Sequence, residues 1–392
     1  MSHRKRPRMP NDLGLNVIVG PGEAFELNRL LESMVLPGIF DEVVIVTTSH
    51  DPDVEGVAKR FATKTAYFPW CDDFAAARNC ALDNTTTDYV MWADADDIIP
   101  RSVAYRLSRM KEHVVKGAFD VYLVPYHLDF NEDGEMVQFL PRDRIFKRLD
   151  SLRWHKPVHE QLSVDPRKHT VARFDGIFFE HRPMKVADSG LLRNLRILEK
   201  EYNKDPTDPH AAFYYARDRF LVGQKAEAVE MFDTIIQERR ANRDNLVVAA
   251  VQSAMYYTYR DERALNEDTL GKGETYARIA MSFSDKYAEP LVILGDIYHY
   301  KGLVSEAISL YKMAMGRKLD GNGVQQVAFY EEVPADRLAT LFLNGEEWAQ
   351  ALHYNQLVLK HAPKDERVLY RGRQLLERIS ESYGGRFVKA EA

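Results

Sequence analysis

Val90-Met91-Trp92-Ala93-Asp94-Ala95-Asp96-Asp97-Ile98-Ile99 carries an apolar run straight into three carboxylates. The run reads as a buried strand. Carboxylates that end such a strand do not belong in the core, because a buried unpaired charge is too costly. Their natural partner is a hard divalent cation, which takes oxygen ligands.

Upstream of this stretch the pattern alternates. Residues 15–19, 42–46, 66–69 and 89–93 are strand-like, and residues 24–34, 54–61 and 74–82 are helix-like; Leu27, Leu30, Leu31 and Met34 mark the first helical face. Strands alternating with helices predict a parallel, doubly wound sheet. Ligands on such sheets sit beyond the carboxyl ends of the strands. The loops at 20–23, 47–53 and 94–97 are all predicted there. After Gly117 the pattern changes. Residues 120–130 and 135–147 read as a hairpin turned by Asn131-Glu132-Asp133-Gly134, and residues 172–180 as a further strand of the same sheet.

From about residue 190 the chain is helical and repeats. Leu221-Val222-Gly223-Gln224-Lys225-Ala226-Glu227-Ala228 is matched by Tyr300-Lys301-Gly302-Leu303-Val304-Ser305-Glu306-Ala307. A third copy, Leu343 to Ala351, has one extra residue. Each copy follows an apolar helix (212–220, 291–298, 335–343) and precedes another. A glycine between two helices, then an alanine where they cross closely, is tetratricopeptide logic. A diverged copy is predicted near 249–280 and an insertion near 318–326. Such arrays offer a concave surface to partners.

The 392 residues exceed one ordinary core, so two domains are expected. With 45% hydrophobic and 29% charged residues the composition is that of a soluble globular protein. A net charge of −6 gives no global cationic field for nucleic acid or an anionic membrane. Arg4, Lys5, Arg6 and Arg8 form a local exception, read as a solvated tail over residues 1–11, with a nucleic-acid or lipid-touching arm as the alternative. No signal-peptide core and no run of ~18 apolar residues occurs. Cys71 and Cys80 lack partners at zinc-ligand spacing, so a reducing cytoplasm is the expected compartment.

The span Trp70-Cys71-Asp72-Asp73-Phe74-Ala75-Ala76-Ala77-Arg78-Asn79, followed by Asp94-Ala95-Asp96-Asp97, resembles family 2 glycosyltransferases of the GT-A fold. Arg144-Ile145-Phe146-Lys147, Trp154 to Glu160, His181 and Arg193-Asn194-Leu195 are similar to the subgroup with a C-terminal tetratricopeptide array, a layout shared by sublancin-type peptide S-glycosyltransferases. The resemblance implies a Rossmann-like GT-A domain over residues 12–188 and helical repeats over 189–392. It implies a nucleotide-sugar donor, most naturally a UDP-sugar, and a divalent cation, Mn²⁺ or Mg²⁺, that neutralises charge on the departing diphosphate.

Within that resemblance, Asp94 and Asp96 anchor the cation or the ribose, and Asp97 lies nearer the sugar. A helix N-cap role is the other reading of Asp96 and Asp97. His181 resembles the late histidine that completes the metal site; imidazole suits manganese-like ions, and a hydrogen-bonded partly buried histidine is the alternative. Glu160 is the candidate general base for inverting displacement, set against a salt bridge to Arg144 or Arg153. The neighbouring Gln161, where an acidic residue would be expected, leaves base identity and stereochemistry open. Arg78 suits phosphate oxygens, or an ion pair to Asp73 or Asp97. Asp73 resembles a donor-site carboxylate, or caps the helix after it. Thr47 stands where the family carries a uracil-reading Asp, with Asp51 or Asp53 as substitutes. Glu23 is a further donor-side candidate or a helix-start acid. Trp70, Trp92 and Trp154 are packing residues or sugar platforms.

The expected function is sugar transfer to a peptide or protein side chain docked on the repeats, with a glycan precursor or a hydroxylated nucleic-acid base as alternative acceptors. The repeats could equally hold a second subunit. Two rivals are an adaptor with a degenerate transferase domain, and a nucleotide-sugar hydrolase.

Overall fold

The computed structural model describes residues 12–36, 38–131, 134–184, 188–259, 265–319 and 325–382. The basic tail and most of the expected 318–326 insertion lie outside these residues. Two compact units divide the chain, residues 1–203 and 204–392.

The first unit opens with β1 (Leu13–Val19), α1 (Ala24–Met34), β2 (Glu42–Thr47), α2 (Pro52–Phe61), β3 (Lys64–Tyr67), α3 (Phe74–Asp83) and β4 (Tyr89–Asp94). The sheet order β3-β2-β1-β4 is parallel throughout, with Val17 opposite both Ile45 and Ala93. Both faces of β1, β2 and β4 are buried, each by a different helix layer, while the edge strand β3 is largely exposed. Leu13, Leu15, Val17 and Val19 of β1 and Tyr89, Met91 and Ala93 of β4 pack with Leu27, Leu30 and Leu31 of α1. The alternate residues turn the other way. Ile18, Val44 and Val46 meet Ala77 and Ala81 of α3, and Val90 and Trp92 meet Ala75 and Leu82. A side-chain period of two on strands sandwiched between helices produces this division.

The sheet continues with β5 (Asp97–Ile98), β6 (Val121–Phe130), β7 (Met136–Lys147), β10 (Val171–Arg173) and β11 (Phe179–His181), and the short helices α4 (Arg101–Ala104) and α5 (Leu107–Val114) follow β5. A separate two-stranded ribbon pairs β8 (Trp154–His155) with β9 (Gln161–Leu162). β7 runs antiparallel to both β4 and β6, and β10 and β11 lie parallel to β6. The strand expected over 172–180 is therefore two short strands, β10 and β11, separated by residues 174–178. That break lets β11 reach β5 as well, antiparallel, with His181 opposite Asp97. The expected doubly wound parallel sheet holds for the first four strands only. A last helix, α6 (Asp188–Lys204), starts beside the expected 188/189 boundary, yet its contacts group it with the first unit up to Asn203. Arg196 and Lys200 on it pair with Asp72 at 2.6 and 2.9 Å, and Arg193 lies over the Phe74 ring.

The second unit is built from helical hairpins: α7 (Pro209–Leu221) with α8 (Lys225–Gln237), α9 (Arg243–Thr258) with α10 (Glu267–Phe283), α11 (Glu289–Tyr300) with α12 (Val304–Met315), and α13 (Glu332–Asn344) with α14 (Trp348–His361). A final amphipathic helix, α15 (Glu366–Ser382), closes the array. The diverged copy read near 249–280 is the α9–α10 hairpin. In the first and third hairpins Gly223 and Gly302 take the left-handed conformation, at φ +92° and +76°. In the last, the extra residue moves that conformation from Gly345 to Glu346, at φ +61°. No helix among the described residues is long and apolar enough to cross a membrane.

Glu289, the first residue of α11, is a buried carboxyl. One oxygen accepts the Gln326 N–H at 2.9 Å, and Oε2 has no hydrogen-bond partner among the described residues. Burial pushes its pKa from 4.5 up to about 7. Below pH 4.5 the group is protonated folded or unfolded, and ionisation costs nothing. As pH rises the unfolded chain releases its proton first, so stability falls until about pH 7 and then levels. Glu289→Gln removes this loss, on the order of 3 kcal/mol. Thermal melts should therefore show a stabilised variant at pH 8 and little difference at pH 4.5; an equal shift at both would disprove the ionisation account.

Candidate active site

The candidate residues gather at the carboxyl ends of β1, β2 and β4. Gly22 N–H donates to Asp51 Oδ2 at 2.7 Å, joining the first two loops. Asp51 also caps α2 by accepting from Asp53 and Val54 N–H groups, a role the sequence reading did not assign to it. Glu23 folds back to accept the Gly20 N–H at 2.8 Å. Thr47 ends β2 and is buried.

Asp73 caps α3, accepting the Ala76 N–H at 2.9 Å, an arrangement worth about 1 kcal/mol. Its neighbour Asp72, at φ +63°, accepts the Trp70 indole N–H and holds the two cations of α6. Hydrogen bonds donated by Arg196 and Lys200 keep the Asp72 carboxyl far below the usual range.

The α3 helix then presents Arg78. Its Nη2 donates to Asp94 Oδ1 at 2.6 Å and its Nε to Glu160 Oε1 at 2.7 Å. The guanidinium stacks 4.1 Å from the Trp92 ring, with Trp154 beyond at 5.4 Å. The sequence alternatives for these residues were different: Asp73 or Asp97 for Arg78, and Arg144 or Arg153 for Glu160. In the structure Arg78 and Glu160 are each other's partners, and Arg153 pairs with Asp83 at 2.5 Å. Burial is the largest influence and raises the Asp94 and Glu160 carboxyls, but Arg78 together with Arg144 and Arg142 on Asp94, and with Arg142 and a backbone hydrogen bond on Glu160, leaves both below the ordinary range. Trp92 and Trp154 are packing residues; the Trp92 indole N–H donates to Asp143 O at 2.7 Å.

Asp97 is wholly buried. Its Oδ2 accepts the Asp94 N–H at 2.9 Å and pairs with Arg144 Nη1 at 2.7 Å. Arg144 is itself fully buried, stacked against Trp92, Tyr126 and Phe179. Asp97 is thus walled off by protein, whereas the sequence reading put it nearer the sugar. Neither Asp96 nor Asp97 caps a helix: Pro100 occupies the N-cap of α4 and no side chain bonds there. Burial raises the Asp97 carboxyl, Arg144 pulls it down, and Asp94 and Asp96 add to the rise.

The β5–β11 pairing delivers His181 to this corner, and the Arg182 N–H donates to Asp96 O at 2.9 Å. Arg29 on α1 donates to the Arg182 carbonyl and braces the same turn. His181 Nδ1 stands 3.5 Å from Asp96 Oδ1. Asp96, Asp97 and His181 each offer a ligand atom, all within 4.8 Å of one another. In the same residues Asp97 Oδ1 and His181 Nδ1 are buried without a hydrogen-bond partner among the described residues. Buried polar atoms need partners, and a carboxylate–carboxylate–imidazole trio suits a divalent ion. Burial disfavours the imidazolium, but Asp96, Asp97 and Asp94 outweigh it and raise the His181 pKa. Asp94, expected as a ligand, is instead held by Arg78. The local sequence carried the Asp-x-Asp signal but not the gathering of Asp97 with Asp96 and His181. Arg142, two residues before Arg144 on β7, was not singled out from the sequence; its spacing from Arg144 on a strand was the available signal.

The glycosyl transferase family 2 model matches residues 23–186. The chain is 19% identical over 211 residues to the SPbeta prophage-derived glycosyltransferase SunS of Bacillus subtilis (strain 168), covering 52% of this chain and 49% of that one. It is 26% identical over 120 residues to a TPR repeat-containing protein of Synechococcus elongatus, covering 31% of this chain and 28% of that one. The chain thus spans about half the length, or less, of the curated relatives it matches. Among solved structures, a glucosyl-3-phosphoglycerate synthase from Mycobacterium tuberculosis overlays with a TM-score of 0.35 at 15% identity, covering 48% of this chain and 76% of that one. No residue role is carried across from so distant an overlay. The N-terminal unit is a family 2 glycosyltransferase domain of the GT-A type, and tetratricopeptide-like hairpins follow it.

Proposed function

We propose that the protein transfers a sugar from a nucleotide donor, most naturally a UDP-sugar, with a divalent cation held by Asp96, Asp97 and His181. The observation that carries this reading is that Asp96, Asp97 and His181, just past the end of β4, offer ligand atoms within 4.8 Å of one another, with Asp97 Oδ1 buried and without a hydrogen-bond partner among the described residues. A bound cation would supply electrostatic neutralisation of the departing diphosphate. The chain's own residues do the rest. Arg78 holds Asp94 and Glu160 in fixed positions against Trp92. Glu160, kept ionised by Arg78, is the candidate acceptor of the nucleophile's proton. Glu23, Thr47, Asp51 and Asp73 shape the nucleotide side, the last two through helix caps. Direct displacement with Glu160 as base inverts the anomeric centre.

The acceptor we propose is a peptide or protein side chain bound by the helical hairpins; the repeat architecture and the resemblance to a TPR repeat-containing protein support this. A reducing cytoplasmic setting fits the two free cysteines, Cys71 and Cys80.

The test is release of nucleoside diphosphate from a panel of UDP- and GDP-sugars with manganese. Metal-dependent release from one donor is expected; no release and no binding across the panel would overturn the reading. The cation reading has its own check. Asp96→Asn and His181→Ala should each weaken Mn²⁺ binding at least tenfold by calorimetry, with far-UV spectra unchanged. Wild-type affinity in both would rule out the trio.

A further inference from the structure

Three guanidinium groups converge on the Trp92 ring: Arg144 at 4.0 Å, Arg78 at 4.1 Å and Arg142 at 5.4 Å. Two of them are committed. Arg144 pairs with Asp97, and Arg78 with Asp94 and Glu160. Arg142 differs. Among the described residues its side chain makes no ion pair or hydrogen bond; its Nε is buried without a partner, as are Nε and Nη2 of Arg144, but Arg144 has a carboxylate and Arg142 has none. It is half-buried, on β7 opposite Val124, where the register with β6 shifts between Arg142 and Ile145, and its guanidinium faces the same Trp92 ring as that of Arg144.

Its charge reaches the site even so. Arg142 lowers the pKa of both Asp94 and Glu160, though burial and Arg78 weigh more on each. It thus stands beside this cluster without binding either carboxylate. Partly desolvating a guanidinium while leaving its donors unused is unfavourable. The cost is offset when an anion completes its hydrogen bonds, and the planar fork of arginine matches phosphate oxygens.

We propose that Arg142 binds the diphosphate of the nucleotide donor, on the side of the Trp92 ring that Arg78 and Arg144 leave open. This rests on the transferase reading above. It divides labour among the arginines: Arg78 and Arg144 position carboxylates, and Arg142 holds the phosphate. The assignment predicts that Arg142 distinguishes a diphosphate from a monophosphate. A cation that merely raised the local potential would favour both.

Binding of UDP, UMP, GDP and GMP to the full chain with Mn²⁺, by calorimetry, tests this. Arg142→Ala should weaken the preferred diphosphate at least tenfold and its monophosphate less than twofold, with Mn²⁺ affinity unchanged. Arg142→Lys should recover part of the loss, since lysine keeps the charge without the fork. Unchanged diphosphate affinity in Arg142→Ala, or equal losses for diphosphate and monophosphate, overturns the Arg142 assignment and leaves the transferase reading intact. If the wild-type chain binds none of the four nucleotides, the transferase reading fails and the assignment falls with it.

Discussion

Glu160→Gln should lower the turnover of the preferred sugar nucleotide by about 10²- to 10⁴-fold, the range over which general bases act, while donor KM changes little. Glutamine keeps the shape and can still accept from Arg78, whose Nε lies 2.7 Å from Glu160 Oε1. It cannot take a proton. Burial raises the Glu160 pKa, but Arg78 with Arg142 and a backbone hydrogen bond brings it below its ordinary value, so the carboxylate is ionised through the neutral range. The base is available there but intrinsically weak, so rate should be flat above the carboxylate range and fall in acid. Water serves as acceptor until the natural one is found. The competing role is holding Arg78 in place. It predicts the opposite split, with KM and thermal stability shifted and turnover largely kept. That outcome would remove Glu160 as the base.

Arg144→Met should destabilise the first unit by about 3–5 kcal/mol, the cost of leaving a buried charge without its partner. Asp97 and Arg144 are both fully buried and 2.7 Å apart, and three aromatic rings surround the guanidinium. The double variant Arg144→Met, Asp97→Asn should recover much of the loss, since neither charge then remains. Urea unfolding without added metal measures the cycle. Losses that simply add would mean the pair contributes no coupling, and Arg144 would be a packing residue only.

Much of this molecule is visible locally. The alternation of apolar runs marked the first four strands and three helices, since the three inner strands had to be buried on both faces and each helix on one. The glycine-centred copies at 223, 302 and 345 marked the hairpins, because a chain reversal between close helices needs a left-handed residue there or one position on. Asp94, Asp96 and Asp97 stood out as charges ending a buried strand. The break within 172–180 was not legible: β10 and β11 both pair with β6, and only the need for β11 to bridge β5 and β6 separates them.

Which carboxylate meets which cation was likewise beyond sequence reasoning. Arg78 reaches Asp94 and Glu160 across separations of 16 and 82 residues. Composition offered several arginines for each acid, and near-equal charges along a chain do not choose among themselves. The amino-acid sequence by itself determined the class of fold, the repeat array and the corner where chemistry gathers, because periodicity and the cost of burying charge act within short stretches. Only the tertiary structure decided that Asp97 turns inward to Arg144, that His181 lies opposite it, and that Arg142 keeps its charge uncommitted. Those outcomes depend on strand register and on distances of a few ångströms, over which Coulomb and hydrogen-bond energies change most steeply.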